Sequence, residues 1–511
     1  MTENRRRFFY NGIVLTLVAL AMRTVSLFFG AYVTRTVGEV GMGLYTLVGT
    51  VYGFAVTIAT SGISLTVTRQ VAAALGRAER KEASAALGGA FLYAFIFGSV
   101  ATVGLFCLSD VLAERVLSSP ETAVSMRILA ASLLPVAFTS VIAGYFVAVR
   151  RVGFNATVQV ISQALKIPIT VWLVTEFKEH GDASSVAALC LAITVTELIS
   201  FAVILAEFLF DLSRHGIGKS APNLTEVAKT AVPLGTSAYV RSALLTVEHS
   251  IIPKRLAKSG ESFTEAFASY GALHGMALPM ILYPMAAISS FAGLLVPEFA
   301  ECAAKGARDR ADRIGSEAVN TTLTFAAVCA VFLFVFAEEL GYTVYDSYSA
   351  GYYVAMLAPI VPIMYLDHVT DAMLKGVGEQ VYSMWVNISD SLISIVLVWT
   401  LIPRLGILGY AIAIIGMEAY NFILSALRLR RHVRFKINLL DSLLLPTGLA
   451  ALAALLSRSV FSMNGRATTP FWLVMKMLFA LCTFITVKIL ADFLRDFTRR
   501  KISAKPLISP K

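Results

Sequence analysis

The chain is poor in charge, poor in cysteine and without a long polar stretch. Only 15% of its 511 residues are Asp, Glu, Lys or Arg, against about 25% in soluble domains. The five cysteines are Cys107, Cys190, Cys302, Cys329 and Cys482. They lie in or beside apolar runs without CxxC spacing, so neither a metal site nor a disulfide framework is supported. No phosphate-cradling glycine loop, metal-ligand cluster or nucleophile motif occurs, and no cofactor or catalytic residue is expected. His368 reads as the only histidine deep in a helix beside carboxylates, which is too little for catalysis. The period-two alternation of a membrane barrel is missing. The longest polar pieces, near 208–225 and 301–315, are too short to fold as domains of ordinary size.

What the chain does have is hydrophobicity. Apolar residues make up 57% of it, and runs of about 20 residues recur, each long enough to cross a bilayer. The reading is an all-α integral membrane protein with about fourteen transmembrane helices. They fall near 8–34, 43–68, 84–108, 124–149, 154–176, 184–207, 226–250, 267–297, 316–337, 351–375, 380–402, 405–428, 437–461 and 469–494. Arg5, Arg6 and Arg7 precede a run too long for a cleaved signal peptide, so the first helix is expected to be retained.

The formal net charge of +10 is not spread as a nucleic-acid footprint, and no nucleic-acid partner is expected. Basic residues gather in alternate loops, among them Arg69, Arg77, Arg150, Arg151, Arg308, Arg310, Arg430, Arg431 and Arg434. The positive-inside rule then places both termini on the cytoplasmic side of the membrane.

A weak internal repeat runs through the chain. VALAMRTVSLFFGAYVTRTVG, around Arg23, resembles GTSAYVRSALLTVEHSIIPKRL, around Arg241. The segment from Leu133 to Gln163 resembles that from Ile360 to Asp390, with Phe154 on Tyr382 and Gln159 on Asn387. Six helices separate the copies, so the halves share one orientation, related by a pseudo-two-fold along the membrane normal. The expected division is an N-lobe at 1–210 (helices 1–6), a C-lobe at 211–430 (helices 7–12), and helices 13–14 with a basic tail at 431–511.

Arg23 sits in the middle of the first apolar run. A guanidinium at the bilayer centre costs roughly 2.5–3.5 kcal/mol on insertion scales and cannot shed its charge. Its face neighbours, Thr16 and Gly30, are small or polar, so it reads as lining a wet cavity able to take an anion; the other reading is a snorkelling or paired arginine. Helix two carries Thr46, Thr50, Gly53, Thr57, Thr60, Ser64 and Thr68 on one face. That stripe is either a hydroxyl-lined wall or a close helix contact. Helix five aligns Gln159, Gln163, Lys166 and Thr170. Helix seven sets Arg241 and Glu248 two turns apart. Helix ten holds Asp367, His368, Asp371 and Lys375, and Asp390 and Glu418 follow on later helices. Glu248, Asp367, Asp371 and Asp390 read either as ion or proton sites or as structural pairs. Lys476 and Lys488 read as snorkelling residues.

The segment Arg23 to Tyr45, ending GEVGMGLY, with PIMYLD, LKGVGEQ and PRLGILGYA in the second half, resembles the polysaccharide-transporter, stage V sporulation protein B-like branch of the MOP flippase superfamily. The resemblance covers almost the whole chain. It implies a two-lobed transporter that moves an undecaprenyl-pyrophosphate-linked saccharide from the inner to the outer leaflet by alternating access. Arg23, Arg241 and Lys166 would hold the pyrophosphate, and Thr50, Thr57, Gln159 and Gln163 would meet sugar hydroxyls. The expected partners are that lipid-linked saccharide and membrane lipids, and the expected state is a monomer. Two alternatives are a cation-coupled multidrug or small-molecule antiporter of the same fold, and a membrane enzyme acting on polyprenyl-linked sugars. The antiporter branch usually carries a carboxylate where this chain has Arg23.

Overall fold

The structure is a computed structural model. It describes the backbone of residues 3–77, 79–149, 151–177, 181–215, 220–462 and 469–503. Side chains are described there except at 3–23, 27, 152–156, 159, 214–215, 462, 492 and 494–503. Among the described residues every regular element is helical. The chain divides into two compact units, Met1–Gly275 with Met384–Ile414, and Met276–Ser383 with Ile415–Lys511. These differ from the lobes expected from the repeat, because α7 and most of α15 pack with the first unit.

The first unit contains α1 (Glu3–Thr60), α2 (Ile63–Gly76), α3 (Arg80–Val111), α4 (Thr122–Ala148), α5 (Val152–Phe177), α6 (Asp182–His215), α7 (Leu224–Lys258) and α8 (Phe263–Tyr270). Gly38 interrupts α1 at φ 77°, ψ 178°, backbone that essentially only glycine adopts. The following glycines serve close packing. A Cβ on Gly43 would run into the Phe267 carbonyl, and one on Gly271 into the Glu39 carbonyl. The backbones of α1 and α8 therefore touch across the GEVGMG stretch. A capping box fixes the start of α8: Ser262 Oγ accepts from Glu265 N at 3.2 Å and Glu265 Oε2 from Ser262 N at 2.8 Å. Beyond α8 the helix widens into a π-helical turn, Gly271–Ala277. Phe91, Phe138, Phe201 and Phe208 tie α3, α4 and α6 together. Tyr145 donates a 2.7 Å hydrogen bond to buried Asp211, which also pairs with Arg151.

The second unit contains α9 (Leu278–Leu282), α10 (Met285–Lys305), α11 (Arg308–Val335), α12 (Ala337–Tyr345), α13 (Tyr348–Leu357) and α14 (Val361–Gly376). It also takes the ends of α15 (Gln380–Leu405) and α16 (Ile407–Leu429), then α17 (Leu445–Ser462) and α18 (Pro470–Ser503). Tyr365 donates to the Ile281 carbonyl at 2.8 Å. Lys476 of α18 does not snorkel: its Nζ lies 3.1 Å from Glu339 Oε1, with the two side chains 12% and 13% exposed. Removing either partner would strand a buried charge.

Among the described residues, twelve helical stretches are long and apolar enough to cross a membrane. One of them, Thr24–Gly76, covers the second expected span and the described end of the first, fused across the Gly38 kink. The expected seventh span, α7, falls below that apolarity because it carries Arg241, Glu248, His249, Lys254 and Arg255. The protein is a multi-pass membrane protein.

Candidate functional site

The polar residues singled out in the sequence do not share one fate. Of the basic groups, the Arg23 side chain lies outside the described residues, as does that of Gln159. Gln163 of α5 is half-buried and donates to Ser26 Oγ at 3.2 Å. Ser26 stands one turn beyond Arg23, so α5 meets α1 next to the arginine position. Lys166, one turn further along α5, is half-buried and acts electrostatically on Glu197 of α6. Glu197 in turn acts on Tyr52 of α1, whose hydroxyl shares a 2.7 Å hydrogen bond with Ser132. The sequence reading missed Glu197, Tyr52 and Ser132, since each is a single polar group in an apolar run.

The hydroxyl stripe of α1 is a contact surface. Thr50 Oγ1 donates to the carbonyls of Thr46 and Leu47 at 2.9 and 2.8 Å. Thr57 Oγ1 donates to Gly53 O at 2.8 Å and to Ser242 Oγ of α7 at 3.2 Å. Thr246 of α7 returns a 3.3 Å bond to the Thr50 carbonyl. Thr50 and Thr57 thus take part in the contact of α1 with α7. A neighbouring cavity of about 410 Å³ is lined by the apolar side chains of α1, α3 and α7, such as Phe54, Leu105 and Val247.

On α7, Arg241 is exposed and makes no hydrogen bond or ion pair among the described residues. Glu248, two turns on, is buried and accepts a hydrogen bond from Ser394 Oγ of α15 at 2.5 Å. It does not pair with Arg241. Asp390, one turn before Ser394 on the same face, acts electrostatically on Glu248.

A cluster not anticipated from the sequence adjoins this carboxylate. His249 Nδ1 and the Tyr270 hydroxyl are 2.9 Å apart. His274 Nε2 bonds the Tyr410 hydroxyl, and the two imidazole rings meet edge to face at 4.4 Å. His274 stands in the π-helical turn, and single π turns are frequent at functional sites. The reading of His368 as the one histidine beside carboxylates is thus corrected: His249 follows Glu248 directly. The signal was the Glu-His pair itself, and Tyr410 stands in PRLGILGYA.

In the second unit, Asp371 pairs with Lys375 at 2.6 Å and accepts from Ser383 Oγ. Asp371 is thus engaged by both Lys375 and Ser383. Asp367 is half-buried one turn earlier on α14. Elsewhere in this unit a cavity of about 1070 Å³ runs along α11, α17 and α18. Phe325, Val328, Phe332, Leu478 and Leu481 line most of it, and Asn320, Asp441 and Lys488 give it polar patches.

The family model described as polysaccharide biosynthesis protein matches residues 8–303. The chain belongs to that family. Among curated proteins, two from Bacillus subtilis (strain 168) resemble it. Stage V sporulation protein B is 23% identical over 432 residues, covering 83% of each chain. Sporulation protein YkvU is 21% identical over 431 residues, covering 82% of this chain and 94% of its own. Solved structures share the fold, two of them as follows. The lipid II flippase MurJ in an inward closed conformation superposes with a TM-score of 0.71 at 12% identity, over 95% of this chain and 100% of its own. An inward-facing multidrug resistance MATE family transporter of the MOP superfamily gives 0.66 at 15%, over 81% and 97%. The sequence resemblance therefore holds for the polysaccharide biosynthesis protein family, and the likeness to these solved structures is one of fold.

Proposed function

We propose that the protein is a flippase for a polyprenyl-pyrophosphate-linked saccharide, a precursor of a cell-envelope polysaccharide or peptidoglycan, moved outward across a bacterial cytoplasmic membrane by alternating access. The observation that carries this reading is Arg241. A guanidinium in the middle of α7, the expected seventh span, without a protein partner among the described residues, is costly at membrane depth unless water or an anion meets it. Its fork of donors suits phosphate oxygens. Arg23 is its counterpart in the repeat, and Lys166 stands on α5 beside the same stretch of α1. Gln159 and Gln163 of the α5 row would serve sugar hydroxyls. Thr50 and Thr57 contribute less, because their hydroxyls are already bonded.

The cargo needs a place for a chain as well as a headgroup. The cavity along α11, α17 and α18, apolar for most of its lining with Lys488 and Asn320 in its wall, has the amphiphilic character such a lipid requires. Glu248 and Asp390 are the groups we assign to cation coupling, and Asp371 is released from that role by Lys375. Transport rather than catalysis, cytoplasmic termini and a monomer complete the reading.

The test is reconstitution. Purified protein in vesicles should move a fluorescent polyprenyl-pyrophosphoryl disaccharide between leaflets, read by an impermeant quencher. Vesicles in which the protein adds nothing to the lipid's own leaflet exchange would overturn the proposal.

A further inference from the structure

Residues 433–438, between α16 and α17, have no regular structure, yet they are pinned. Arg434 N donates to Asp312 Oδ1 at 2.7 Å, Lys436 N to Ser316 Oγ at 3.0 Å, and Asn438 N to Asn320 Oδ1 at 2.8 Å. Asn320 Nδ2 also donates to the Lys436 carbonyl at 2.8 Å. Every second residue of the strap thus meets every fourth residue of α11. The match is geometric: four helical residues rise about 6.0 Å, and two extended residues about 6.6–6.8 Å. Val433 and Phe435, the alternate residues, are buried, with Val433 against Gly315.

Beside this strap lies a pocket of about 460 Å³, lined by Arg308, Asp309, Asp312, Arg430, Arg431 and Arg434. Four guanidiniums face two carboxylates, and Asp312 already accepts the Arg434 N–H. Among the described residues, Arg308, Arg430, Arg431 and Arg434 make no ion pair. Arg430 instead lies over the Phe435 ring, 5.5 Å from its centre. His432, also in the lining, is held 2.8 Å from Glu379. Concentrating like charges on a fixed backbone is unfavourable unless an anion answers them. Leu427, Leu439 and Leu440, before and after the strap, are more than half exposed, so an apolar surface adjoins the basic pocket.

We propose that this pocket binds a phosphate-bearing anion, the headgroup of an acidic membrane lipid, with its chains on the flanking leucines. The arginine forks supply bidentate donors to the phosphate, and the anionic leaflet supplies the ligand at high local concentration. The site is independent of the cargo: it rests on α11 and the strap, not on Arg23 or Arg241.

Native mass spectrometry of the full-length protein in detergent tests it, with phosphatidylglycerol as one probe and inorganic pyrophosphate as the other. Wild type, and a control with Arg69→Ala and Lys81→Ala in another basic loop, should each retain one phosphatidylglycerol. The triple variant Arg430→Ala, Arg431→Ala, Arg434→Ala should bind it about tenfold or more weakly. The corresponding triple lysine variant keeps the charge without the forks and should fall between them. Unchanged lipid retention in the alanine variant overturns the site. Lysine binding equal to wild type reduces it to a diffuse positive surface and overturns the pocket. Pyrophosphate that binds as tightly as the lipid and displaces it makes the ligand a soluble phosphate and overturns the lipid assignment.

Discussion

Ser394 Oγ donates a 2.5 Å hydrogen bond to Glu248 Oε1, so α15 and α7 meet through a buried carboxylate. This pair separates architecture from coupling. Ser394→Ala leaves a buried acceptor short of a donor, a loss of about 1–3 kcal/mol, and should lower the melting temperature in detergent. Glu248→Gln keeps an oxygen for Ser394 and removes only the charge. It should preserve the amount of folded protein while slowing flipping at least about tenfold. A Glu248→Gln protein that flips at the wild-type rate would leave Glu248 a purely structural group.

Arg241 gives a second ordered series. Arg241→Lys retains charge without bidentate geometry and should keep partial transport. Arg241→Ala should lose nearly all of it at normal membrane abundance, since no protein group is left unpaired. Arg241→Glu should be at least as damaging. The same order is expected at Arg23. Abundance and flipping measured together decide the matter, and a fully active, well-expressed Arg241→Ala protein removes the anion-site reading.

The loop between α14 and α15 predicts a pH effect. Arg428 and His432 hold Glu379 at 2.9 and 2.8 Å and lower its pKa below the usual carboxylate value. A carboxylate depressed in the folded state stabilises the protein above its unfolded pKa of about 4.3. That contribution is lost as pH falls through the lower folded value. Glu379→Gln should therefore melt earlier than wild type at neutral pH, and the two melting curves should converge in acid. A constant gap across that range would place the effect in packing instead.

Orientation is tested by single cysteines in a cysteine-free background. Cysteines at Ser84 and Arg310 should be shielded from an impermeant thiol reagent in intact cells, and one at Asp346 should be labelled. Labelling from outside at Arg310 would reverse the topology.

The class, the family and the approximate spans were legible in the sequence because they follow from lengths of apolar run and from GEVGMGLY. The roles of individual polar residues were not. Spacing puts Thr50 and Thr57 on one face, but only the position of α7 decides whether that face is wet. Asp367, Asp371 and Lys375 looked like a row, yet Ser383, which bonds Asp371, lies on the next helix. His249 and His274 are 25 residues apart in the numbering, and His274 stands in a π-helical turn that no local pattern announces. Asp312, Ser316 and Asn320 read as ordinary polar positions of α11, because their partners are backbone groups of a segment without a periodic signature.

The threonines of α1 carry a mechanical consequence. Thr46, Thr50, Thr57 and Thr60 each send a hydroxyl hydrogen into a carbonyl of the preceding turn, and such back-bonding weakens and bends helices. These four residues share one face, so α1 is a beam notched along a single side. Its compliance is anisotropic: flexure toward or away from the notched edge is soft, and sideways flexure is stiff. Gly38 adds a joint at one end of the same beam. The helix that carries GEVGMGLY is therefore easier to bend in one plane than in the other, a property set by hydroxyl placement rather than by the size of its apolar contacts.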